Sequence, residues 1–266
     1  MNYKLDVELS PELETYKDKI EATIKPYIEI KLTDNNKPTW WQSKFGGLPY
    51  IPKGFEYPKS FANEYLYLLA QINFAEVPHL EYFPDKGILQ FYITADEEFY
   101  GADFDHPKTQ DRFRVIYFAD GDLKEDNLVT DFSFLPSITN KWVMPFQGCC
   151  QVTFSKKLAP ISPGDYQFDL FPLYEKDYQE IAEEYWDKFS IDKHKIGGYP
   201  DFTQNDPREF CDRDEEPSIL LFQIDSDDSK TINICWGDVG IANFFIKKAH
   251  LKKLDFSDVL YNWDCG

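Results

Sequence analysis

"LLAQIN" at residues 68–73 and "LLFQID" at residues 220–225 are short apolar runs with a glutamine at the same place. Either run alone reads as a buried strand. What decides the fold is that their neighbours match as well. "GGLP" at 46–49 answers "GGYP" at 197–200, and "DKGILQFYI" at 85–93 answers "DVGIANFFI" at 238–246. Asp103-Phe104 answers Asp255-Phe256. "RVIYF" at 114–118 resembles "DVLYN" at 258–262 once an insertion, 106–113, is allowed in the first copy. The blocks keep one order at a nearly constant shift, the signature of a repeated structural unit.

The chain therefore reads as an internal duplication, each copy being a helix, a Gly-Gly-x-Pro loop, a strand, an Asp-x-Gly turn and two more strands. Copy one covers about 10–119 and copy two about 174–266, joined by segment 120–173, which carries strands of its own such as "GCCQVTF". A repeated half rarely buries its apolar face alone, so residues 1–266 are expected to form a single compact body.

Composition agrees with sheet. Aromatic residues make up 17% of the chain, and such side chains suit pleated, half-buried surfaces. With 266 residues the core is ample without disulfide or metal staples. The net charge of −19 repels phosphate backbones, so nucleic-acid binding is not expected. The same charge serves solubility or attracts a basic protein partner. The start, "MNYKLDVELSPELE", has neither a basic n-region nor an apolar run, and no stretch is apolar enough to span a membrane. With five cysteines, an odd number, this points to reduced thiols and a cytoplasmic protein.

Local signals fill in the elements. Ser10-Pro11 opens a helix, and Leu13, Tyr16, Ile20, Ile24 and Tyr27 recur at helical spacing to about Pro26. A second helix is expected over 177–189, with Tyr178, Ile181, Ala182, Tyr185, Trp186 and Phe189 on one face. Strands are expected over 65–72, 87–93, 112–118, 151–154, 218–224, 231–236, 242–246 and 259–261. The fold class is thus α+β, mainly antiparallel β, with one helix preceding each half.

"GGYPDFTQNDPR", "LLFQIDSDD", "WGDVGIANFFI" and "DFSDVLYNWDC" together resemble the YwqG-like family of bacterial proteins, over essentially the whole chain. The resemblance implies a β-rich, roll-like architecture. It implies no established activity, cofactor or catalytic residue. Genes of such proteins lie near toxin and immunity loci, so the resemblance also suggests an immunity-type inhibitor.

Chemical motifs are sparse. The Gly-Gly-x-Pro pairs lack the Lys-Ser/Thr of a phosphate loop and the G-x-G-x-x-G of a dinucleotide site, and their presence in both copies favours a structural role. Gln71 and Gln223 need their amides satisfied, most simply by neighbouring backbone. The four histidines are scattered, and "DSDDSK" at 225–230 has Lys230 where a calcium loop needs Gly and Trp236 where it needs Glu. No metal or cofactor is expected.

One loop stands out. "DFTQNDPREF" at 201–210 belongs to copy two only, whereas copy one has "YIPKGFEYP" after its Gly-Gly-x-Pro. Its polar set is Asp201, Gln204, Asn205, Asp206 and Arg208, and Asp264 is a further candidate. Two readings stand: a structural latch centred on Arg208, or a ligand site anchored by Asp201, Gln204, Asp206, Arg208 and Asp264. The latch requires a buried Arg208 bonded to carboxylates or carbonyls. The leading functional expectation is a non-enzymatic binding protein, in one version an immunity protein with an acidic surface. The alternative is an enzyme using carboxylate acid/base chemistry in a cleft between the halves, with Asp206, Arg208, Asp238 and Asp264 converging there.

Overall fold

The computed structural model describes residues 3–121, 123–211 and 216–266. Ser10 caps the first helix through its Oγ, which accepts from the Leu13 amide at 3.1 Å. That helix stops early. It forms two short pieces, α1 (Pro11–Glu14) and α2 (Lys17–Thr23), and the chain is a strand, β1 (Lys25–Leu32), where helix was expected to continue to residue 26. Pro26 explains the break, because a residue before proline is pushed out of the helical region. Ile28 and Ile30 then alternate inward at strand period.

The remaining elements follow as β2 (Lys44–Gly46), β3 (Tyr67–Asn73), β4 (Ile88–Ile93), β5 (Phe113–Phe118) and the long β6 (Phe146–Ala159). After α3 (Gln179–Phe189) come β7 (Lys195–Gly197), α4 (Arg208–Cys211), β8 (Ser218–Asp225), β9 (Asp227–Asp228), β10 (Ile232–Ile234), β11 (Ile241–Lys247), α5 (Lys248–Lys252) and β12 (Val259–Asp264). The sheet is antiparallel throughout, in the order β12-β11-β8-β7-β1-β6-β2-β3-β4-β5.

At its centre β1 pairs with β6 from Lys25↔Ala159 to Leu32↔Val152. The two wings then unfold in the same order on either side. The wing β2–β5 is entered through β6, from the joining segment, and the wing β7, β8, β11 and β12 through β1, near the start of the chain. The sheet curls into a nearly closed, barrel-like form. The wings meet face to face, with Phe91 4.7 Å from Phe222 and 4.8 Å from Phe244, and Phe113 5.2 Å from Tyr261, ring centre to ring centre. Both faces of β4 are covered, so all six of its residues are buried, and apart from Gln90 its sequence is apolar or aromatic throughout rather than alternating.

The wings share local detail. In the first, the register skips Leu69 between Leu68↔Tyr92 and Ala70↔Phe91; in the second, it skips Leu221 between Leu220↔Phe245 and Phe222↔Phe244. Both are bulges, which bend a sheet toward closure. Gln71 Oε1 accepts from the Tyr50 amide at 2.8 Å, and its Nε2 donates to the carbonyls of Trp40 and Gln42. Gln223 Oε1 accepts from the Asp201 amide at 2.8 Å, and its Nε2 donates to the carbonyls of Ile191 and Lys193. Gln90 and Asn243 complete the pattern by donating to the carbonyls of Tyr50 and Asp201. The Gly-Gly pairs have one conformation, with φ of +63° and +74° at Gly46 and Gly47 and +66° and +75° at Gly197 and Gly198.

Two helical segments lie together on one side. Leu13 and Ile20 pack with Phe171, Ala182, Tyr185 and Phe189, and the Ser10 amide donates to Glu184 at 3.0 Å. Thus α1 and α3 belong to one satellite core.

Each buried glutamine holds a loop amide and two loop carbonyls. Gln71→Leu and Gln223→Leu should each cost on the order of 2–4 kcal/mol, because those backbone groups lose their partners inside the protein. Urea unfolding measures it, and comparable losses are expected from the two variants.

Candidate functional site

The 197–210 loop is tied down by its own polar residues. Asp201 Oδ2 accepts from Ser190 Oγ at 2.6 Å and from the Ile191 amide at 2.8 Å, just past the end of α3. Asp264, on β12, accepts from the amides of Thr203 and Gln204 at 3.1 and 2.9 Å. Gln204 Nε2 donates to the Cys265 carbonyl at 2.6 Å. Asn205 is exposed. Burial pushes the Asp264 carboxyl above the ordinary aspartate range, against the two amides that donate to it.

Arg208 is 3% exposed. Its Nε donates to Asp206 Oδ1 at 3.0 Å and its Nη2 to Asp206 Oδ2 at 2.6 Å, a two-point clasp. Nη2 also donates to Asp165 Oδ2 at 2.8 Å, and Nη1 to the Ser218 carbonyl at 2.9 Å. The guanidinium carbon lies 4.7 Å from the Phe245 ring centre and 5.0 Å from that of Tyr166. Burial opposes the guanidinium charge, but Asp165 and Asp206 outweigh it and hold its pKa above the usual arginine value. Asp206 also accepts from the Tyr166 amide at 3.1 Å. Burial raises the Asp206 carboxyl despite the arginine. Arg208 thus has the burial and the partners that the latch requires.

Of the expected constellation, then, Asp206 and Arg208 meet directly, Asp264 and Gln204 meet through loop backbone, and Asp238 is exposed in the turn before β11. Asp165 was missed. It comes from the "SPGD" turn of the joining segment, where only the turn chemistry shows in the sequence. Among the described residues no cluster of three or more His, Cys, Asp or Glu side chains is arranged to hold a metal ion. His194 is buried, and its Nδ1 accepts from the Asp225 amide at 3.0 Å, so Nε2 carries the proton.

Open space lies beside the glycine pairs instead. Next to Gly47 and Leu48 is a cavity of about 540 Å3 whose wall includes Tyr67, Leu68, Gln147 and Gly148. Next to Gly197 and Gly198 is a cavity of about 290 Å3 whose wall includes Lys25, Pro26, Ile219, Leu220 and Lys248. These positions correspond. Gly46 pairs with Cys149 as Gly197 pairs with Tyr27, so 147–148 and 25–26 take the same place against the glycines. Tyr67-Leu68 and Ile219-Leu220 likewise stand at the same point before the two bulges. The linings differ in charge. Burial pulls Lys25 down to about 8, with Asp165 pulling the other way, and its ammonium sits 3.4 Å from the Tyr199 ring centre. Lys248 lies 3.7 Å from the ring centre of Tyr82.

Two further lysines are scaffold. Lys44 and Lys195 are buried, donate to loop carbonyls at 39–40 and at 191, and are brought down to about 8 by burial.

Arg208→Ala should lower stability by on the order of 2–4 kcal/mol, because it strands Asp165 and Asp206 inside the protein without their cation. Thermal and urea unfolding measure the loss. Unchanged stability would mean that the clasp does not brace the loop.

A comparison with curated proteins gives no significant match. A family model described as "Domain of unknown function (DUF1963)" matches residues 43–265. That span runs from the start of β2 to the end of β12 and takes in both glycine loops, both bulged strand pairs and the Arg208 clasp. The chain belongs to this family of DUF1963 domains.

Proposed function

We propose that this chain is a non-enzymatic binding protein of the bacterial cytoplasm, YwqG-like and built from two copies of one unit, with its ligand sites at the cavities beside the two glycine loops. The observation that carries the reading is the pair of corresponding cavities, alike in backbone and different in lining. A duplicated scaffold can keep its frame and vary its pockets. Asp201, Gln204, Asp206, Arg208 and Asp264 then act behind the site, bracing the loop whose glycines wall the smaller cavity. The carboxylates of that set are occupied by amides, a hydroxyl and a guanidinium, which argues against the enzymatic alternative that relied on them. The net charge of −19 supports a further version, an immunity-type protein whose acidic exterior attracts a basic partner.

A fragment library followed through backbone amide shifts tests the reading. Hits should perturb residues near 47–48, 67–68 and 147–148, or near 25–26, 197–198 and 219–220. Hits confined to other surfaces, or conversion of any hit to product, would contradict it.

A further inference from the structure

The smaller cavity has a cationic lining in a strongly acidic protein, and nothing in the fold requires it. Lys25 stands where the other cavity has Gln147, and Lys248 follows β11 where Ala95 follows β4. The same backbone is therefore built with neutral residues at both positions. Lys25 is half-buried, its ammonium rests on the Tyr199 ring, and among the described residues no carboxylate is seen in an ion pair with it. Its neighbouring charges are Asp165, which is bonded to Arg208, and Arg208 itself, which repels it. A partly buried cation with no carboxylate paired to it is a ready partner for an arriving anion.

Across the cavity, Lys248 and Lys252 lie over the Tyr82 ring at 3.7 and 4.8 Å from its centre. Tyr82 holds a φ of +75°, a strained conformation for a residue with a side chain. Glu81 also reaches the wall, so the lining pairs two ammonium groups with one carboxylate. The rest of the wall is apolar: Pro26, Leu80, Phe83, Ile219 and Leu220. At about 290 Å3 the space is at the small end of ligand pockets.

We propose that this cavity binds a small organic anion, its carboxylate or phosphate held between Lys25 and Lys248 and its apolar body laid on Leu80, Phe83 and Leu220. The inference rests on the binding reading above and names the ligand class of one of its two sites.

Glycine-selective 15N labelling gives a direct test, because the chain has only 13 glycines and Gly46, Gly47, Gly197 and Gly198 report on the two cavities separately. The probes are benzoate and phenyl phosphate, with benzyl alcohol as the neutral analogue and inorganic phosphate as the anion without an apolar body. Benzoate or phenyl phosphate should move Gly197 and Gly198 saturably and bind more tightly than either control. Lys25→Gln, which installs the side chain the other cavity already carries, should weaken that binding by about tenfold or more with the unfolding temperature little changed. Lys248→Met should weaken it as well. Equal binding of benzyl alcohol would overturn the anion inference and leave the binding reading intact. So would full affinity in both variants. Silence of Gly197 and Gly198 toward every probe would also overturn the inference, while Gly46 and Gly47 in the fragment screen judge the binding reading independently.

Discussion

The antiparallel pairing of β1 with β6 is the contact on which everything else hangs. Eight consecutive residues of β1 face β6; β6, from the joining segment, then hands over to the wing β2–β5, and β1 to the wing β7, β8, β11 and β12. Neither wing reaches the other without these two strands. The wings must also face each other, because Phe91, Phe222 and Phe244 bury their rings against one another in the space between them. Cooperation between the halves is thus imposed by hydrogen-bond topology first and by apolar burial second.

A frame of this kind has to fasten loops to the sheet ends from within. It does so with side-chain amides: one glutamine on each inner strand, aided by Gln90 on one wing and Asn243 on the other. The second half adds a charged clasp. Among the described residues the Arg208 guanidinium gives four hydrogen bonds, two to Asp206, one to Asp165 and one to a carbonyl, so it is engaged within the fold. What remains for recognition is the space beside the glycines. There positive φ values and close strand approach exclude a side chain: a Cβ on Gly198 would come within 2.6 Å of Tyr27, and one on Gly47 within 2.6 Å of Cys149.

Much of the frame was legible because the residues that shape it have few substitutes. Glycines at positive φ, glutamines bonded to backbone on two sides and the bulged apolar strands leave fixed letters at fixed places, and those letters recur in the two wings. The short strands β2 and β7 were not legible. Three residues of ladder carry no periodic signal. β1 is hidden because Ile24 and Tyr27 continue the helical spacing of Leu13, Tyr16 and Ile20, so that the expected helix runs to about Pro26, into the first residues of the strand. β6 was seen only at its core, since exposed lysines at 156 and 157 hide the alternation toward its end. The polar loop 201–210 stands out in the sequence, yet its partner Asp165 and the cationic cavity do not show there. Lys25, Tyr82 and Lys248 lie far apart in the chain and meet only when β1 crosses to the opposite wing.

Separating the halves tests this account most directly. Fragments 1–119 and 120–266 can be produced apart, so that β1 loses β6 and β7 while β2 loses β6. The account requires that neither fragment alone unfolds cooperatively or shows a dispersed amide spectrum, and that mixing them restores both. A half that folds stably by itself would contradict the claim that the exchange of β1 and β6 holds the protein together.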